Sequence, residues 1–123
     1  MLGSFEPIAF VHTTDVDRAR AFYVGVLGLT VVEESPYALV VRSGHTIVRI
    51  TPVPSHAPAG ATVLGWQVPD VHATLAALAA QGVVGLRFDG LVQDDLGVWQ
   101  APGGAHVAWF HDPDANILSL TQM

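Results

Sequence analysis

The strongest constraint on this chain is a diverged internal repeat. Phe10–Asp17 reads Phe-Val-His-Thr-Thr-Asp-Val-Asp, and Gly65–His72 reads Gly-Trp-Gln-Val-Pro-Asp-Val-His. In each copy an apolar, strand-like run ends in Asp-Val, and an alanine-rich stretch of helical period follows. Asp15 and Asp70 are the matching points, 55 residues apart. Self-similarity at such a spacing predicts two copies of one supersecondary unit. A single copy would leave a sheet face bare, so the two copies are expected to pair.

Reading each copy onward gives the same order of elements. Ile8–Thr13 reads as a strand, Thr14 or Asp15 as the cap of the next helix, and Asp17 lies three residues after Thr14 in a capping-box-like spacing. Val16, Ala19, Phe22, Tyr23 and Val26 recur at helical spacing, with Gly25 and Gly28 as stop signals. Leu29–Glu34, Tyr37–Arg42 and Thr46–Val53 read as strands, divided by turns at Ser35-Pro36 and Ser43-Gly44. Residues 54–60 are expected to link module one (about 6–53) to module two (about 61–121). In the second copy Ala61–Val68 reads as a strand and Asp70 as an N-cap. Val71, Leu75, Leu78 and Ala79 form a helical stripe that stops at Gly82. Val83–Phe88, Gly97–Gln100, His106–His111 and Asn116–Leu120 are strand-like, and Asp89–Leu96 reads as an exposed acidic loop, with a lid as its sharper reading.

Composition narrows the chemistry. Half of the 123 residues are apolar and 13% are charged, which excludes a disordered chain. Five arginines face eleven acidic residues, for a net charge of −6, and there is no lysine and no cysteine. Without a basic stripe there is no case for nucleic acid or an anionic membrane surface. Schiff-base lysines, P-loops, disulfides, thiolate nucleophiles and thiolate zinc sites are likewise excluded. No run reaches the ~20 apolar residues of a spanning helix. Met1–Phe10 has neither a basic n-region nor a long apolar core, so no secretory leader is expected there and a cytoplasmic location is.

Three local signatures carry a family resemblance: Ala21-Phe22-Tyr23-x-x-Val26-Leu27-Gly28-Leu29, the Asp70-Val71 helix start that ends at Gly82-Val83, and Asp112-Pro113-Asp114-Ala115-Asn116 before the last strand. Together they resemble the vicinal oxygen chelate superfamily of glyoxalases, bleomycin and fosfomycin resistance proteins and extradiol dioxygenases, over about Glu6–Thr121. The resemblance implies an α+β fold of two tandem βαβββ modules whose curved mixed sheet forms a half-barrel around a cavity, and it implies a homodimer. In metal-dependent members, ligands stand on the first and last strand of each module. Carried onto this sequence, those positions are Ile8, a residue near Arg49, Val63 and Ser119, so no metal and no other cofactor is expected. Ala115 stands where the family motif has glycine, which implies either a different turn or an alanine in a left-handed conformation at a cost of about 1 kcal/mol or more.

Strand parity places the remaining candidates. If Val48 and Ile50 lie under a helix, Arg49 faces the cavity; the opposite register would bury it at several kcal/mol. Leu118 and Leu120 under a helix leave Ser119 facing the cavity. Phe10 and His12 share that face with Ile8, as Gly65 and Gln67 do with Val63, while Trp66 turns towards a helix. The ligand-binding candidates are therefore Phe10, His12, Arg49, Gln67 and Ser119. Each has a plainer alternative: Arg49 paired with Glu33 or Glu34, His12 as a hydrogen-bonded core residue, Gln67 as a solvated amide, and Ser119 as a spectator without a base. His45, His56, His72, His106 and His111 show no metal-binding spacing, and Asp112 and Asp114 read as turn formers. Trp99 and Trp109 read as core or interface residues.

The first expectation is a protein that binds, without metal, an anionic or carbonyl-bearing small molecule. The alternative is an enzyme acting on a small carbonyl or anionic substrate: a glyoxalase- or dioxygenase-like one, which would need a metal, or a metal-independent lyase or isomerase with His12 as base and Arg49 as oxyanion partner. A pure interaction module is the third.

Overall fold

A computed structural model describes residues 1–123. The chain divides into two compact units, Met1–Ala57 and Pro58–Met123. In the first, β1 (Ile8–Thr13) leads into α1 (Val16–Arg20), a π-helical turn (Ala21–Val26), β2 (Thr30–Ser35), β3 (Ala38–Ser43) and β4 (Thr46–Pro52). In the second, β5 (Thr62–Gln67) leads into α2 (Val71–Ala80), β6 (Trp99–Gln100), β7 (His106–His111) and β8 (Ile117–Gln122). The sheets have the same order, β1-β4-β3-β2 and β5-β8-β7-β6. In both, the first and last strands of the unit pair in parallel and the remaining pairs are antiparallel. This is an α+β fold of two repeated modules with open, mixed sheets. No helix is long and apolar enough to cross a membrane.

Each helix starts as the repeat predicts. The Asp15 carboxylate accepts from the Arg18 backbone N–H at 3.1 Å, and that of Asp70 accepts from Ala73 N–H at 3.1 Å. These bonds satisfy N–H groups that the first helical turn leaves without partners. Val71, Leu75 and Leu78 are buried, whereas Ala79 lies at the surface. In the first unit the helical pattern does not run on as an α-helix to Gly25. From Ala21 the turns widen, with Leu27 N–H donating to the Phe22 carbonyl and Leu29 N–H to that of Tyr23. The sequence neighbours Phe22 and Tyr23 are both buried there, edge to face at 5.2 Å. On the same side, Arg20 pairs with Asp17 and Glu34.

One further expectation is corrected. Val83–Phe88 is not a strand. Its backbone is held by one ladder-like bond, Leu86 N–H to the Trp109 carbonyl at 2.7 Å, and by a side chain. The Gln93 carboxamide accepts from Phe88 N–H and donates to the carbonyls of Leu86 and Gly97 at 2.7–2.9 Å. Gly85 also passes so close to the Leu96 carbonyl that a Cβ would lie 2.5 Å from it. Asp89–Leu96 is the irregular, largely exposed loop expected, and within it Gln93 and Asp94 hold hydrogen bonds.

The Asp112–Asn116 turn adopts the conformation that its alanine disfavours, with Ala115 at φ +62°. Buried Asp112 imposes it: its carboxylate accepts from the backbone N–H groups of Asp114 and Asn116 and from the Asn116 amide, all at 2.8–2.9 Å. Left-handed alanine is strained, whereas glycine is not, at some entropic cost. Ala115→Gly is accordingly expected to raise the unfolding free energy by about 0.5–1 kcal/mol in urea titration. An unchanged or lowered midpoint would contradict this account of the turn.

Candidate functional site

The first module buries one face of its sheet; the other is exposed along β1, while Ala38 and Val40 of β3 are buried on it. Val11 and Thr13 of β1, Leu39 and Val41 of β3, and Val48 and Ile50 of β4 are buried. The alternate residues of β1 face away from that core, with Ile8 53% and Phe10 60% exposed. In the β1–β4 ladder Ile8 lies opposite Ile47, Phe10 opposite Arg49 and His12 opposite Thr51, while Val40 of β3 is the other neighbour of Arg49. Arg49 thus stands mid-sheet on the open face, between an aromatic and a branched aliphatic residue. It is only half-buried and forms no ion pair or hydrogen bond within the chain. The carboxylates that sequence reasoning offered as partners do not bond to Arg49: Glu34 pairs with Arg20 on the helix side, and Glu33 shares the face of Arg49 but stands one strand further on, beyond Val40. His12, also on the open face, meets His56 edge to face at 5.7 Å.

The second module repeats the plan. Leu118 and Leu120 of β8 and Phe110 of β7 are buried, and Trp66 stacks on Phe110 at 6.5 Å on that side. On the opposite face Ser119 is flanked by Gly65 and Trp109. Gly65 and Ser119 act as one unit, because a Cβ at Gly65 would fall 2.3 Å from the Ser119 hydroxyl oxygen. Gln67 lies at the exposed end of β5, beside Gln122, whose side-chain carbonyl accepts from Val71 N–H at 2.9 Å. Val63 departs from the simple alternation. A bulge sets Thr62, rather than Val63, opposite Ile117, so Val63 is the extra residue of the strand.

Sequence reasoning missed a cleft of about 230 Å³ within this module, walled by Thr62, Phe88, Leu91, Trp109 and Ile117. The Phe88 and Trp109 rings meet edge to face at 5.2 Å, and Trp99 lies 6.2 Å from Trp109 with its ring tilted by 31°. The one signal available in the sequence was the clustering of Phe88, Trp99 and Trp109 around an acidic loop. That loop is fastened to α2 by His72 Nε2, 2.7 Å from the Asp94 carboxylate, whose second oxygen accepts from the N–H groups of Leu96 and Val98. Burial by itself would raise the Asp94 pKa, but the His72 bond and the two backbone donors outweigh it and hold the carboxyl below its ordinary 3.8.

A sequence model of the Glyoxalase/Bleomycin resistance protein/Dioxygenase superfamily matches residues 7–120, and the chain belongs to that superfamily. No curated protein matches it. Among solved structures, it is similar to TnmS3, an antibiotic binding protein from Streptomyces sp. CB03234, with 26% identity, 99% and 98% of the two chains covered and a TM-score of 0.72. It shares the fold of a lactoylglutathione lyase from Agrobacterium tumefaciens at 17% identity, with 99% and 96% covered and a TM-score of 0.77. It also shares that of a superfamily member from Sphaerobacter thermophilus DSM 20745 at 19% identity, with both chains fully covered and a TM-score of 0.77.

A lowered carboxylate pKa stabilises the fold above its unfolded value, and that contribution is lost as pH falls through the folded one. Asp94→Asn is therefore expected to lower the urea midpoint near pH 7, by a small amount because both partners are half exposed. The difference from wild type should persist down to about pH 5 and shrink below 3.8. A difference that keeps growing below pH 3.8 would refute the latch.

Proposed function

We propose that the chain is a metal-independent small-molecule-binding protein whose ligand carries an anionic or strongly polarised carbonyl group. The observation that carries this reading is Arg49. A guanidinium held mid-sheet between Phe10 and Val40 has given up part of its hydration, yet no carboxylate of the chain compensates it. A ligand carboxylate or phosphate would supply two parallel charge-assisted hydrogen bonds that the guanidinium fork matches. His12, Gln67 and Ser119 are the further polar contacts we assign to ligands on the open faces, and Phe10 is the apolar one. The 26% identity to an antibiotic binding protein favours binding over turnover.

The donor set supports the absence of a metal role. At the positions where metal-dependent relatives are expected to place ligands stand Ile8, Arg49, Val63 and Ser119. Two hydrocarbons, a permanent cation and one hydroxyl do not suit a divalent ion, which prefers imidazole, thiolate or carboxylate. No group of three or more His, Asp or Glu side chains converges elsewhere. A cytoplasmic homodimer is the setting we assign to this activity.

Naphthalene-2-carboxylate, followed by isothermal titration calorimetry, is a suitable probe. Arg49→Ala is expected to weaken it by about tenfold or more, since hydrogen bonds to charged groups contribute ~1.5–3 kcal/mol. The urea midpoint should not fall, because Arg49 has no partner within the fold to orphan. Equal affinity in the variant, or a variant that loses stability, would overturn the assignment.

A further inference from the structure

The cleft of the second module differs in chemistry from the surroundings of Arg49. Its walls are hydrocarbon and aromatic: Ala61, Thr62, Phe88, Leu91, Trp109 and Ile117, with no charged side chain among them. At about 230 Å³ it falls below the roughly 300–1,000 Å³ of a pocket for a drug-sized ligand, so it suits one ring system. Trp109 is braced by two neighbouring rings, the edge-to-face Phe88 and the tilted Trp99. A ring braced in this way loses little freedom when a ligand stacks on it.

The outer wall, Phe88 and Leu91, belongs to a segment with almost no backbone ladder. Side chains hold it instead. Gln93 clasps Leu86, Phe88 and Gly97, and Arg87 donates to the Asp94 carbonyl at 2.6 Å. The His72–Asp94 bond ties this clasp to α2. We propose that the cleft takes an uncharged, flat aromatic group against Trp109 and Phe88, and that His72 and Asp94 are positioning residues for its outer wall. This rests on the reading that the open sheet faces bind organic ligands, and it names the chemical class that the cleft of the second module takes.

The test uses 2-naphthol, which is neutral at pH 7, alongside naphthalene-2-carboxylate. Calorimetry is combined with amide and indole NMR of the full chain. With 2-naphthol the Trp109 indole N–H signal is expected to shift, while that of Trp66, stacked on the other side of the sheet, stays in place. Trp109→Leu and Phe88→Ala should each weaken 2-naphthol about tenfold. Trp109→Phe, which keeps a ring, retains binding and guards against loss through misfolding. His72→Ala should weaken it about threefold, and His72→Gln, whose amide nitrogen can replace Nε2 as donor, should restore it. A merely structural histidine would not show that rescue. Arg49→Ala should leave 2-naphthol binding unchanged while losing the carboxylate. If 2-naphthol leaves Trp109 unmoved, or binds Trp109→Leu as well as wild type, the cleft proposal is wrong even where Arg49 still captures the anion. If 2-naphthol binds at Trp109 but Arg49→Ala does not affect the carboxylate, the Arg49 reading fails and the cleft stands.

Discussion

The two-residue alternation of side chains along β1 and β4 is the constraint on which the first module's core and the placement of Arg49 both depend. In β1 and β4 the buried set is Val11, Thr13, Val48 and Ile50. A slip of one residue would bring those four to the surface and drive Arg49 into the core beneath the helix. The hydrophobic effect that packs the module therefore also aims the guanidinium. In β8 the burial of Leu118 and Leu120 turns Ser119 outward by the same means. Site and core are two faces of one constraint, so the residues on the open face are free to vary chemically while the fold stays fixed.

Much of this was legible in the sequence, because it depends on local period and local chemistry. The repeat around Asp15 and Asp70, both helix caps, the outward parity of Arg49 and Ser119 and the inward turn of Trp66 all follow from spacing. What escaped depends on bonds that no period encodes. Val83–Phe88 has strand-like residues but lies in an irregular path, because the Gln93 side chain satisfies its backbone groups in place of a neighbouring strand. The π-helical turn keeps the apolar spacing of an α-helix, so only the joint burial of Phe22 and Tyr23 betrays it. The bulge at Val63 and the His72–Asp94 bond, 22 residues apart in sequence, are equally invisible to pattern.

The Asp112–Asn116 turn illustrates how strain is tolerated. Three hydrogen bonds to one buried carboxylate outweigh the left-handed conformation of Ala115, just before β8 carries Ser119 onto the open face. The polar groups that fix the fold, Asp15, Asp70, Asp112 and Gln93, are all engaged within the chain. Arg49, by contrast, makes no ion pair or hydrogen bond within the chain.

The central claim is that the open faces recognise an organic ligand directly rather than through a chelated ion. Elemental analysis after exposure to zinc, nickel, manganese and iron and exhaustive dialysis tests it most directly. The account predicts far less than one metal ion per chain, with no change in melting temperature on adding any of the four. One equivalent retained through dialysis, and lost together with thermal stabilisation on chelation, would contradict it.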